Sequence, residues 1–158
     1  MNPDTNFSIR TFIGGYDKNF TYLITCSATG FQILVDASIE LEKFSKFIIN
    51  SPLAILITHS HNDHISFLDN YIKAYPKMKI LGYPNSNLLS KIKNFIPLKN
   101  NQTLNIGKLN FKVIFTPGHY YDSICYELNP ALFTGDTMFV GRTGRVISKK
   151  SNIKHLYD

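Results

Sequence analysis

The chain predicts a mixed α/β (α+β) domain, with two β-rich halves and helices on the outside. Three observations lead there. Short apolar runs of strand character recur along the whole sequence, and amphipathic stretches of helical spacing separate them in the first half. Several of these runs carry a histidine or aspartate just past their ends, at His59, His119 and Asp136, so strand termini collect metal-capable side chains at one edge. No linker or low-complexity tract divides the 158 residues, so one domain over 1–158 is expected, long enough to bury a core.

The elements follow in order. Phe7, Ile9 and Thr11 alternate with polar residues before Gly14-Gly15 turns the chain. Residues 20–26 and 31–36 read as the next two strands, a hairpin joined at Ser27-Ala28-Thr29-Gly30. Asp36 closes the second of them, as a turn former or as an acidic group near a site. Ser38 is a candidate N-cap, and Leu41, Phe44, Phe47 and Ile48 at 3-4-7 spacing predict an amphipathic helix ended by Asn50-Ser51-Pro52. The apolar run 53–57 is the central strand. From His64 a second helix is expected, burying Ile65, Leu68, Tyr71 and Ile72 and stopping at Pro76. A short strand at 79–82 and a short helix at 86–94 come next. Strands at 103–106 and 109–115 flank Gly107-Lys108, and those at 123–128 and 131–134 pair across Asn129-Pro130.

Composition narrows the class. Hydrophobic residues are 44% of the chain, with 12 Phe and 9 Tyr, which excludes a disordered segment. The net charge of +6 favours an anionic partner, but the lysines are dispersed and no dense Lys/Arg block marks a nucleic-acid surface. Cys26 and Cys125 lie in strand-like patterns and read as small buried hydrophobes. Met1-Asn2-Pro3-Asp4 does not open a basic-then-apolar leader, and no apolar run reaches the roughly 18 residues of a membrane span. A cytoplasmic protein with neither membrane nor nucleic-acid partner is expected, of undetermined oligomeric state.

The chemistry concentrates in Thr58-His59-Ser60-His61-Asn62-Asp63-His64, directly after the central strand. His59 and His61, two apart, can converge on one ion. Asp63 and His64 follow a turn and can face a second ion or a water bound to the first. Imidazole and carboxylate suit zinc, iron or manganese.

This heptapeptide resembles the T-H-x-H-x-D-H signature of the metallo-β-lactamase-fold hydrolases. The resemblance continues, in the family's order, at Thr116-Pro117-Gly118-His119 and from Phe133-Thr134-Gly135-Asp136-Thr137 through Gly141-Arg142-Thr143-Gly144-Arg145. Within that superfamily the chain looks like the glyoxalase II (hydroxyacylglutathione hydrolase) branch and its relatives, the persulfide dioxygenases. The resemblance implies an αββα sandwich and two zinc (or iron or manganese) ions. His59, His61 and His119 would hold one, Asp63 and His64 the other, and Asp136 would bridge them. Asp63 would also orient the attacking water. The implied substrate is a small anionic thioester of the S-acylglutathione type, with Arg145 as the family's glutathione contact, Arg142 nearby and Tyr120 beside the site.

Three departures accompany the match. Ile147 replaces an aromatic glutathione contact. Tyr120-Tyr121-Asp122-Ser123 replaces Thr-x-Gly-Ser after His119, so the backbone at Asp122 must manage without a glycine. The family's last metal histidine, tens of residues beyond the bridging aspartate, has no counterpart before Asp158, and His155 reads as a surface helix residue. A domain lacking its C-terminal strand and helix is therefore expected, with a bared sheet edge. Two alternatives stand beside thioester hydrolysis. One is a persulfide dioxygenase-like enzyme with a single iron on His59, His119 and Asp136, a branch that the ending Leu156-Tyr157-Asp158 also resembles. The other is a non-catalytic piece of such an enzyme.

Overall fold

The computed structural model describes residues 6–157; the opening Met1-Asn2-Pro3-Asp4 and the terminal Asp158 discussed above lie outside the described residues. Two sheets face each other. The first has six strands in sequence order: β1 (Phe7–Gly14), β2 (Asn19–Cys26), β3 (Gln32–Val35), β4 (Ala54–Leu56), β5 (Lys79–Gly82) and β6 (Phe95–Pro97). β1 to β3 pair antiparallel, with the first hairpin closing at Gly14 opposite Asn19 and Tyr22 opposite Val35 in the second. β3 to β6 pair parallel. The second sheet is antiparallel throughout, in the order β10 (Ala131–Phe133), β9 (Ile124–Leu128), β8 (Leu109–Phe115), β7 (Thr103–Ile106). A small ladder, β11 (Met138–Phe139) with β12 (Arg142–Thr143), follows it.

Alternation decides the layers. In β8, Leu109, Phe111 and Val113 point inward while Asn110 and Lys112 are exposed. The inward set meets Ile24, Ile33, Val35 and Leu56 of the first sheet, making the core between the sheets. Truncating a side chain such as Phe111 there costs about 3–5 kcal/mol. The opposite face of the first sheet, with Leu23, Leu34, Ile55 and Ile80, is covered by Phe44, Leu68, Tyr71 and Leu89. β4 is buried on both faces, as its unbroken apolar run requires. The result is the expected sandwich with few helices. At the free edge of the second sheet, β10 leaves Leu132 46% exposed.

The helices are shorter than their sequence periodicity predicts. The segment after Ser38 forms two separate 3-10 turns, Leu41–Lys43 and Ser45–Phe47, because Phe44 at φ −133° interrupts the helix while its ring stays buried. Ser38 caps nothing; its hydroxyl donates to the Phe20 carbonyl at 3.3 Å. The second helix is broken into α1 (Asn62–Ile65) and α2 (Leu68–Ala74). The helix expected at 86–94 is one 3-10 turn, Leu89–Lys91. β6 was not expected; as an edge strand it tolerates Pro97. α3 (Ile153–Tyr157) ends the described chain.

Candidate metal centre

The central strand β4 delivers Thr58 to a well-anchored position. Its amide donates to Asp36 Oδ1 at 2.8 Å and its hydroxyl to Asp36 Oδ2 at 2.7 Å. Its carbonyl accepts the Ile124 amide at 2.7 Å, which joins the two sheets at their ends. Beside it, the Tyr126 hydroxyl donates to the Ile57 carbonyl at 2.7 Å. His59, only 2% exposed, leaves this anchor. His61 precedes α1, whose single turn then presents Asp63 and His64.

The second half contributes His119, after β8, and Asp136, after β10. His119 Nδ1 donates to the Arg145 carbonyl at 2.7 Å, which leaves Nε2 as the free lone pair. His59 Nε2 and His119 Nε2 approach His61 Nδ1 to 3.0 and 2.9 Å. Asp136 reaches both neighbourhoods: Oδ1 is 3.2 Å from His64 Nε2 and Oδ2 is 3.6 Å from His119 Nε2. Among the described residues two groups able to hold an ion emerge, His59/His61/His119 and His59/His64/Asp136, each with donor atoms within 4.8 Å of one another. His59 thus belongs to both. Asp63 stands outside both groups, 3.9 Å from His64 Nε2, and accepts the Asn19 side-chain amide at 2.5 Å.

The electrostatics suit cation binding. Burial, and then the neighbouring His64, His61 and His119, push His59 well below the usual histidine range, so its lone pair is available. Burial and His119 also lower His61, against the opposing pull of Asp63. Burial alone would lower His64 too, but Asp36 and Asp136 outweigh it and raise it to about 10. Burial would raise the Asp136 carboxyl, and the hydrogen bond and charge of His64, with His119 and His61, hold it down instead. Without a cation, His64 supplies the positive charge between two carboxylates. With one, its Nδ1–H still has Asp36 Oδ2 at 2.8 Å and its Nε2 faces the centre, the carboxylate–histidine arrangement that orients a ligand. Imidazoles that converge beside a carboxylate are a fitting donor set for zinc, iron or manganese.

Two glycines permit this closeness. A Cβ on Gly144 would lie 1.8 Å from the Asp136 carbonyl oxygen and 2.9 Å from His119 Nδ1. Gly135, at φ +49°, has Thr58 Oγ1 2.5 Å from where its Cβ would be.

A cavity of about 510 Å³ opens over Asp63, His64 and Asp136, walled by the β1–β2 turn and by Phe139, Arg142 and Arg145. A second, of about 380 Å³, is lined by His61, His119, Arg145, Ile147 and Ser151. Arg142 and Arg145 are both exposed; Arg142 lies over the Phe139 ring, 5.1 Å from its centroid. Tyr120 lines neither cavity. Its ring packs on His61, centroids 4.0 Å apart. His155 is exposed on α3 and belongs to neither ion-capable group.

Sequence reasoning missed Asn19, whose turn carries no metal-site signal, and left Asp36 undecided. Asp36 takes φ +57°, a left-handed conformation that aspartate adopts more readily than most side chains. Asp122 needs no glycine, for it is not among the described residues with positive φ, and its Oδ1 accepts the Ser60 amide at 3.1 Å.

The sequence profile of the metallo-beta-lactamase superfamily matches residues 14–155. The hydroxyacylglutathione hydrolase of Francisella tularensis subsp. novicida (strain U112) is 34% identical, over 94% of this chain and 59% of that protein. That of Francisella philomiragia subsp. philomiragia is 32% identical with the same coverage. The chain therefore spans about three-fifths of the curated relatives it matches. Among solved structures, ETHE1 from Myxococcus xanthus superposes with a TM-score of 0.85 at 28% identity, covering 96% of this chain and 67% of the other. The BLEG-1 B3 metallo-beta-lactamase has a TM-score of 0.78 at 23% identity, over 94% and 81%, and speaks to the fold alone.

Proposed function

Because the chain belongs to the metallo-beta-lactamase superfamily, we propose that it is a metal-dependent hydrolase cleaving a thioester of the S-acylglutathione type. The observation that carries this reading is the pair of ion-capable groups with Asp136 facing both. The hydroxyacylglutathione hydrolases among its relatives supply the substrate class.

In this reading His59, His61 and His119 would hold one cation and His64 with Asp63 the other, and Asp136 would contribute to both, since it faces His64 and His119. Two zinc ions there, or iron or manganese, would lower the pKa of water from about 16 toward about 7 and polarise the thioester carbonyl. The protein's own groups do the rest. Asp63, fixed by Asn19, would accept a hydrogen bond from the attacking water and orient it. Asp36 keeps the His64 ring aimed inward. Arg145 and Arg142 offer planar forks to the substrate's carboxylates. Ser151 holds the His119 carbonyl at 2.6 Å, steadying the third imidazole. The leaving thiolate needs little help from an acid. We place the activity in the cytoplasm, on a small anionic thioester or thiol and without a nucleic-acid partner, in one domain over 1–158. No helix among the described residues is long and apolar enough to cross a membrane.

A second reading draws on His59 and His119 standing with Asp136, a two-histidine, one-carboxylate face suited to a single iron and persulfide oxidation. Metal analysis joined to an S-acylglutathione hydrolysis assay tests both. Two cations per chain with thiol release are expected. One iron per chain with oxygen consumption and no thioester cleavage would replace the first reading by the second.

A further inference from the structure

We propose that Asp122 is a positioning residue for the three-imidazole group. Its carboxylate would hold the peptide between His59 and His61 in the orientation that lets both rings converge with His119. The proposal rests on reading that group as a cation site.

Asp122 lies three residues beyond His119, in the tight connection between β8 and β9. That connection is closed on itself: the Gly118 amide donates to the Tyr120 carbonyl at 3.2 Å and the Thr116 amide to the Ser123 carbonyl at 2.9 Å. From this loop the Asp122 carboxylate reaches across the sequence to the other one. Its Oδ1 accepts the Ser60 amide at 3.1 Å, and that amide belongs to the peptide joining His59 to Ser60. One side chain therefore ties the loop bearing His119 to the loop bearing His59 and His61. The Ile124–Thr58 backbone hydrogen bond lies next to it, at the preceding residue, and does not engage the Ser60 amide.

The burial of the residue singles out this contact. Asp122 is 1% exposed, and its Oδ2 has no hydrogen-bond partner among the described residues. Among the described residues the Ser60 amide is the donor that this buried side chain meets, so the contact is specific. The loop does not require aspartate for backbone reasons either, since its φ is not positive. What the side chain adds is a short-armed oxygen acceptor for the Ser60 amide, between two metal-capable histidines. Outer contacts of this kind change metal affinity about 10–100-fold when removed.

Zinc titration of the full chain against a competing chelator, together with visible spectra of the cobalt-loaded protein, tests this. Asp122→Ala is expected to weaken zinc binding about 10–100-fold and to shift the cobalt bands. Asp122→Asn, which retains an oxygen acceptor, is expected to restore both. An alanine variant with wild-type affinity and spectrum overturns the proposal, as does an asparagine variant that falls as far as alanine. Should Asp122→Ala not fold, hydrogen exchange of the Ser60 amide in the wild-type chain decides: slow exchange supports the tether and rapid exchange removes it. A wild-type chain that binds neither zinc nor cobalt sinks the cation reading and this proposal together. An unaffected alanine variant sinks this proposal alone.

Discussion

The two halves of the molecule bring their side chains to the same place by different means. His59, His61 and His64 leave the end of a buried parallel strand, and Asp36 grips Thr58 and His64 with both carboxylate oxygens. Their positions depend on the core. His119 and Asp136 come from loops held by one backbone carbonyl, a serine and a glycine: Arg145 O on His119, Ser151 Oγ to the His119 carbonyl, and Gly144 packed against Asp136. The first cluster is therefore built into the sheet, whereas the second is borrowed from residues 144–151. Damage near the second should dismantle the centre without unfolding the protein.

The strongest test of that contrast is His119→Ala. Bound metal should fall by at least one cation per chain and thioester turnover to background, with the thermal midpoint of the metal-free protein nearly unchanged; elemental analysis and calorimetry check both. Asp36→Ala should do the opposite kind of harm. It removes the acceptor for three hydrogen bonds and leaves His64 buried without its main anion. Stability should drop by about 3–5 kcal/mol in denaturant titrations, and metal affinity about 10–100-fold. Gly144→Ala drives a Cβ into the Asp136 backbone carbonyl and the His119 ring and should cost about 1–3 kcal/mol, with metal loss exceeding what that destabilisation explains. Asn19→Ala should be mildest, lowering turnover about tenfold through Asp63 while leaving the three-histidine group fully loaded.

A pH series on chelator-treated protein sharpens the same comparison. His64 is raised to about 10 in the fold, against an ordinary value near 6.5. Its contribution is complete below that ordinary value and is lost as pH climbs toward about 10. The thermal midpoint should thus decline across that window, and His64→Gln should flatten the decline. A flat wild-type profile would contradict the ion-paired His64.

Much of this was legible in the sequence, for reasons that differ by region. Three histidines and an aspartate within one heptapeptide needed no partner to be noticed. His119 and Asp136 are single residues, visible only through the strand before each and the family pattern around them. The helix expected after Ser38 failed because Leu41, Phe44 and Phe47 can reach the core from two 3-10 turns as well as from one helix. Asn19 and Asp122 were opaque: each acts over a long sequence separation through one hydrogen bond, and no spacing rule encodes such a contact.

The Asn19 contact has a practical corollary. The turn at 15–18 carries Tyr16 almost wholly in solvent, 94% exposed, and its closing strand residue leans on Asp63. The turn that lines the larger cavity and the Asp63 carboxylate in the same cavity are thus in direct contact. An environment-sensitive dye installed at Tyr16 would brighten or dim as the centre fills, giving an optical gauge of loading that touches no donor atom.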